Sequence, residues 1–437
     1  MSLFLHGVSV PHRKHASDQS AARLEYPQRV TIPMSMHIGA PATPTVKVGD
    51  IVSIGTRIGE GKAPVSSHIY ASISGKVSKI QDFLLSNGST VPAVVIESDG
   101  EGRVDQDIQA PELNTRESLI DAIRASGVVG LGGAGFPTYV KMNVEPSRIE
   151  ALIINGAECE PYITSDSYTM VNRHEDMAFA IQKLQEILGI QRIIIGIEAN
   201  KKNAIASIRK LSMQDPHIEV KILPSIYPQG GEKVLVYHTT GKVIPVGKLP
   251  IDVGCIVCNC TTIAAIGHYF KTGMPLVNKC VTVDGGAVNQ PQNIIVPIGT
   301  SIADVFDFCG GFHSDPVKVL YGGPMMGITV PDMNAPILKN TNAVLALTAK
   351  ETKLPKTTAC IRCGSCTNAC PFGLSPASIA IAFRKKDEAR LSALSVNACM
   401  ECGCCSFVCP ANRPLVQTNK LAKAFLKDCR SKEKNQT

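Results

Sequence analysis

Near the C-terminus two cysteine runs repeat one spacing. Cys360, Cys363, Cys366 and Cys370 precede Pro371, and Cys399, Cys402, Cys405 and Cys409 precede Pro410. This C-x2-C-x2-C-x3-C-P run is the bacterial double [4Fe–4S] pattern, in which the last cysteine of each run serves the other cluster. A cubane offers an iron at every corner, and one tight loop brings thiolates to three of them. The spacing therefore assigns one cluster to Cys360, Cys363, Cys366 and Cys409, and the second to Cys399, Cys402, Cys405 and Cys370. Four-cysteine zinc sites need neither a third cysteine at the same interval nor the Cys-Pro ending. Between the runs Ser375 can cap, and Pro376 can open, an apolar helix reaching Arg384 that would pack over the clusters and keep water off them.

A second chemical signal lies upstream. Gly130-Leu-Gly132-Gly133-Ala-Gly135 formally matches the dinucleotide fingerprint, but that fingerprint must follow a strand and open a helix. Here a helical stretch precedes it and Phe136-Pro137 follows at once. What survives is the physics of clustered glycines, whose backbone N–H groups can approach a flat or phosphorylated ligand, with Lys141 adding positive charge. Cys255, Cys258 and Cys260 lack a fourth partner and read as buried small thiols. Cys404 lies between two ligands and could substitute for one, although the repeat gives that place to Cys405. His6, His12, His15 and His37 show no ligand spacing and are left structural.

The surrounding elements must place these groups. A chain of 437 residues with 44% hydrophobic content is too long for one core, so about three or four domains are expected. Val30 to Ser98 reads as short antiparallel strands with tight turns. Its Val46-to-Val52 and Ile73-to-Val77 stretches resemble the halves of a lipoyl-type barrel sandwich. Lys62 lies between them without a modification motif, so the barrel is read as structural. From Thr115 a helix runs to about Ser126, followed by a strand near 151–154, a helix from about Met170 to Leu188, and a strand from Arg192 to Ile197. A helix from Lys201 to Leu211 and a strand from Ile218 to Leu223 complete the alternation, which implies a parallel sheet. Ligands of such sheets bind beyond the strand C-termini, and there lie Asn155-Gly-Ala-Glu158-Cys-Glu160-Pro161 and Tyr227-Pro-Gln-Gly-Gly231-Glu232-Lys233. The stretch from Thr282 through Asp304 to Gly311 suggests a β-grasp-like module.

No run of about 18 apolar residues occurs, and the start of the chain has no long apolar core of a signal peptide. Eight of sixteen cysteines sit in cluster runs that need thiolates, which points to a reducing compartment. The formal charge of +7 shrinks once about two negative charges per cubane are counted. The basic tail from Lys420 to Thr437 reads as a solvated helix end, with docking to an acidic partner or membrane surface as the alternative. Trp is absent and aromatic residues are few, which disfavours a nucleic-acid surface.

GLGGAGFPTYVK, NGAECEP, YPQGGEK and the Asn259-to-Thr262 stretch occur in that order, and together they resemble the flavin and NADH site of the NADH-binding subunit of respiratory complex I. With its N-terminal barrel segment and C-terminal double-cluster unit, nearly the whole chain resembles the RnfC family, the C-subunits of Rnf electron transport complexes. The resemblance implies a multidomain α+β fold in four parts. These are a barrel-sandwich region at 1–110, an α/β parallel-sheet flavin and NADH domain at 111–250, an SLBB-like β-grasp module at 251–345, and an α-helical double [4Fe–4S] ferredoxin-like domain at 346–437. It also implies that Gly130, Gly132, Gly133 and Lys141 cradle FMN, that Asn155 and Glu158 meet its ring or ribityl chain, and that Asn259 and Thr262 meet its phosphate. Phe136 and Glu160 would face NADH, and Glu232 would lie on the nicotinamide side. The complex I pattern has arginine where this chain has Leu131, and a double acid where it has Gly231-Glu232.

By the same resemblance the cofactors are FMN, NAD(H) and two [4Fe–4S] clusters. The partners are the other subunits of a membrane Rnf complex and, through them, ferredoxin, with no nucleic acid. The expected activity is an NADH-dependent flavin and iron–sulfur oxidoreductase subunit of an ion-translocating ferredoxin:NAD oxidoreductase, peripheral at the cytoplasmic face. Two alternatives are a flavoprotein like the microcompartment cobalamin reductase, disfavoured by the N-terminal position of the barrel segment, and a non-catalytic iron–sulfur relay.

Overall fold

The computed structural model describes residues 6–17, 20–85 and 88–434. In the N-terminal region the strands Arg29–Pro33, Thr90–Ser98, Gly75–Leu84 and Ile51–Val52 form one antiparallel sheet, and Thr43–Pro44, Arg57–Glu60 and Ile69–Tyr70 form a second. Their inward residues, among them Val30, Ile32, Ile58, Ile69, Val77 and Ile96, enclose one apolar core. Lys62 is exposed and pairs with Glu60 at 3.6 Å. Alternating β-branched and polar residues bury one face of each strand and so set the register.

The central domain is a parallel sheet in the order Ile218–Leu223, Ile193–Glu198, Ala151–Gly156, Cys255–Asn259. Ile193–Glu198 is buried at every position, as a strand covered on both faces must be. The domain boundary expected at residue 250 does not coincide with this sheet. Cys255–Asn259 pairs with Ala151–Gly156, and the helix Cys260–Thr272 packs against His174–Leu188. The helix expected from Met170 to Leu188 is two helices, Ser165–Asn172 and His174–Leu188, because Arg173 leaves helical geometry (φ −129°, ψ 23°). Its guanidinium grips Asp176 of the following turn at 2.8 Å.

A six-stranded mixed sheet follows, with Ala22–Arg23 at its edge and then Gln292–Pro297, Asn278–Asp284, Ala343–Leu347, Lys318–Tyr321 and Ile328–Thr329. The helix Ile302–Phe308 packs Val305 and Phe306 into its core. The C-terminal helices include Ser365–Asn368, Pro376–Arg384, Glu388–Ala393, Cys404–Phe407 and Leu415–Lys434, with Ile379, Leu391, Val396, Ala422 and Leu426 between them. Ser375 makes no side-chain cap; its hydroxyl meets Ser378 Oγ at 2.8 Å, and Pro376 alone presets the first turn. Most of the basic tail is the end of the last helix, and residues 435–437 lie outside the described residues. No helix among the described residues is long and apolar enough to cross a membrane.

Candidate functional site

The second cysteine set comes together around one cavity. Cys370 of the first run lines it with Cys399, Cys402 and Cys405 of the second, and Phe372, Leu374 and Val416 supply apolar wall. The sequence repeat is also a backbone repeat. Arg362 and Glu401 take positive φ (56° and 64°) at equivalent places, as do Gly364 and Gly403 (80° and 84°) and Gly373 and Asn412 (63° and 49°). Left-handed residues between the first three cysteines fold each run back on itself, which equal spacing of cysteines demands. At the other cluster position, backbone bonds tie the approach to Cys360 to the exit from Cys409: Thr358 N–H donates to Ala411 O at 3.0 Å, and Asn412 Nδ2 to Lys356 O at 3.3 Å. Cys360 and Cys363 are exposed, whereas Cys370, Cys402 and Cys405 are buried. Cys404 lines the same cavity, and its thiol donates to Tyr227 O at 3.8 Å.

The glycine loop folds back so that Gly130 N–H donates to Phe136 O at 2.9 Å. Gly132 lies against the N-terminus of Cys260–Thr272, where an added Cβ would stand 2.3 Å from Asn259 Nδ2. Gly133 has open space on its Cβ side, and Gly132 to Ala134 are exposed. Gly132 admits no side chain there, and an exposed glycine backbone at a helix terminus has geometry that fits a phosphorylated ligand. Phe136 is half-buried beside it. Lys141 Nζ donates to Val257 O at 2.8 Å and pairs with the exposed Glu232 at 3.3 Å, so these two expected residues do meet. Asn155 Nδ2 donates to Gly230 O at 2.9 Å, tying NGAECEP to YPQGGEK.

Several expected residues are engaged within the protein. Thr262 is buried, and its hydroxyl accepts from Leu131 N–H at 3.0 Å, so it shapes the glycine loop. Asn259 Oδ1 caps Thr261 N–H at 2.9 Å, and its Nδ2 donates to Asp166 at 2.7 Å. Glu158 accepts from Asp166 N–H (2.7 Å), Ser167 Oγ (2.8 Å) and Lys201 Nζ (3.1 Å), and so fixes the start of Ser165–Asn172. Glu160 accepts from the N–H groups of Met325 and Met326 at 3.1 and 2.9 Å, and burial pushes its carboxyl up to about 7. Cys258 and Cys260 are buried among the core residues of the sheet domain, and Cys255 in the adjoining cluster.

Two contributors, the 322–327 loop and Lys14, escaped the sequence reading, and Tyr227 is named there only as part of its loop. Gly323 and Gly327 flank the Met325-Met326 pair, and a Cβ on Gly323 would lie 2.2 Å from Glu160 Oε2. The run Gly322-Gly-Pro-Met-Met-Gly327 was visible but gave no hint of its partner. Lys14 is driven into the loop after Ala151–Gly156, where its ammonium donates to Glu158 O and Glu160 O at 3.0 Å and to Ile163 O. Burial pushes it down to about 8. Tyr227 spans two domains: its hydroxyl donates to Cys402 O at 2.7 Å, and its backbone pairs with Val8. Met325, Met400 and Val408 close the seam between YPQGGEK and the second cluster loop.

Comparison with known proteins follows this architecture. Residues 2–101 match the RnfC barrel sandwich hybrid domain, 123–268 the Nuo51 FMN-binding domain, 280–329 the SLBB domain and 356–413 the 4Fe-4S dicluster domain. The chain is 40% identical over 378 residues to the C-subunit of the proton-translocating ferredoxin:NAD(+) oxidoreductase complex of Clostridium ljungdahlii, covering 85% of this chain and 82% of that one. It is 40% identical over 383 residues to the Na(+)-translocating counterpart of Acetobacterium woodii, with 86% of each chain covered. The C-subunit of the ion-translocating oxidoreductase complex of Rhodobacter capsulatus is 38% identical over 428 residues, or 97% of this chain and 82% of its own.

Proposed function

The chain belongs to the RnfC family, the C-subunits of ion-translocating ferredoxin:NAD(+) oxidoreductase complexes, and from that premise we propose that it carries electrons between NAD(H) and the rest of such a complex. The observation that carries this reading is the seam at Tyr227. It joins the loop beyond the parallel sheet directly to the cavity lined by Cys370, Cys399, Cys402 and Cys405. When bound, FMN supplies the conversion between two-electron hydride transfer and the one-electron clusters.

The residues of the chain divide that task. Gly130, Gly132 and Gly133 give the flavin a backbone cradle beside a helix N-terminus, and Lys141 adds positive charge next to it. Thr262 and Asn259 hold that cradle in shape, while Lys14 and Glu158 fix the neighbouring loop. Phe136 and Glu160 lie on the NADH side, and Glu232, through Lys141, on the nicotinamide side. Cys370, Cys399, Cys402 and Cys405 would hold one cluster beside the Tyr227 seam, and Cys360, Cys363, Cys366 and Cys409 would hold the other. Clusters held there would pass electrons singly to or from a partner. The coupled ion movement belongs to other subunits, and the site of action is peripheral, at the cytoplasmic face. We propose the same four parts as domains, with the sheet domain extended through the helix Cys260–Thr272.

The test is anaerobic reconstitution followed by iron, sulfide and flavin analysis. About eight iron atoms, with FMN that bleaches on adding NADH, is the expected result. Iron without flavin or NADH response would leave only a relay.

A further inference from the structure

We propose that the surface around Cys360 and Cys363 is the docking face for an electron-transfer protein whose redox centre is ringed by carboxylates; the idea rests on the function proposed above. Residues 353–364 are exposed without interruption and belong to no helix or strand. They are nonetheless held in place, since Thr358 N–H bonds Ala411 O, Thr357 Oγ1 bonds Asn412 O and Arg413 bonds Thr358 O at 3.0 to 3.3 Å. This is a laid-down surface that carries two of the cysteines assigned to the outer cluster.

Its charge is one-sided. The sequence has no Asp or Glu from Thr352 to Lys386, nor from Cys402 to Lys427. Lys353, Lys356, Arg362 and Arg413 form no ion pair among the described residues, whereas Lys420 and Lys423, further along, share Glu401. Apolar side chains stand among these cations: Leu354 is 86% exposed and Ile361 68% exposed. Isolated cations would serve only to offset the cluster's own charge. Cations interleaved with exposed large apolar groups match the two parts of a docking site, an apolar contact and a charged rim that steers the partner. Electron transfer requires close approach to the cluster, and this face is where Cys360 and Cys363 reach the surface. Carboxylates on the partner are the complement the charge calls for.

The test uses the reconstituted full chain and membrane vesicles stripped of this subunit, with binding measured by co-sedimentation. Two variants are compared, Lys353→Glu with Lys356→Glu, and Leu354→Asp; none of these side chains lines a cluster or the flavin site. Each variant should need roughly tenfold more protein for half-binding at low salt, and wild-type binding should weaken as salt rises. Iron, flavin and NADH-dependent reduction of menadione should stay unchanged. Variants that sediment like the wild type would overturn the proposal. So would equal capture of the wild type by protein-free phosphatidylglycerol liposomes, which would assign the cations to lipid. A wild-type chain that fails to retain iron or flavin would refute the electron-transfer reading instead, and binding would still report on the face.

Discussion

Replacing Gly323 with alanine tests the contact between the β-grasp loop and the nucleotide loop. The new Cβ would stand 2.2 Å from Glu160 Oε2 and 2.6 Å from its Cδ, far inside contact distance. Gly323 is not among the glycines at positive φ, so alanine brings no backbone strain of its own and the effect isolates the clash. To relieve it the carboxylate must leave the N–H groups of Met325 and Met326. At about pH 8 or above, where the raised Glu160 carboxyl is ionised, hydrogen bonds to this charged group are worth about 1.5–3 kcal/mol each, and partial rebonding to water brings the expected cost to roughly 2–4 kcal/mol. Hydrogen exchange read on a peptide spanning 320–328 should then accelerate by roughly thirty- to several-hundredfold, a decade for each 1.4 kcal/mol. Glu160→Ala alone should give a similar acceleration, and the double variant should be no worse than Glu160→Ala, because the clash has vanished. Unchanged exchange in Gly323→Ala, or effects of the two changes that simply add, would refute the contact.

Other perturbations separate the remaining parts. Cys370→Ser should remove the second cluster while the first persists, lowering iron from about eight to about four atoms; loss of the first cluster alone would reverse the assignment. Thr262→Val should cost about 1–2 kcal/mol locally by orphaning Leu131 N–H and should lower FMN retention with iron unchanged, as read by flavin release. Burial holds Glu160 up near 7 against an ordinary 4.5. The native state therefore keeps a proton that the unfolded chain releases. That stabilisation is complete below about 4.5 and fades as pH rises through 7, with a slope of at most about 1.4 kcal/mol per unit. Denaturant midpoints across this range should fall with pH in the wild type and flatten in Glu160→Gln. Tyr227→Phe removes the bond to Cys402 O and should slow NADH-driven cluster reduction while flavin bleaching stays fast, measured by stopped-flow absorbance.

Local rules made much of this protein legible from its residues. The cysteine spacing is itself a ligand geometry, and alternation of strands with helices announces a parallel sheet whose strand ends carry the unusual loops. Ile218–Leu223 lies where the pattern put it, and Thr115 caps its helix as its residue type suggests. The sequence also named the loops that gather at the site, because glycines and acidic residues after strands have few other reasons to cluster. Periodicity could not see Arg173 break a helix, since one residue leaves the apolar spacing nearly intact.

Tertiary structure decided the partners of those residues. Which carboxylate meets solvent and which meets backbone depends on segments far apart in sequence. Glu160 is held by residues 325 and 326, Glu158 by Lys201, and their shared loop by Lys14. The same holds for the two cysteine runs. Both runs have identical spacing, yet Tyr227 and Met325 pack with Cys402 and Cys404 of the second, while Cys360 and Cys363 of the first stay exposed. Spacing along the chain fixes which atoms can bind an iron; the burial of apolar seams between domains fixes what that iron can reach.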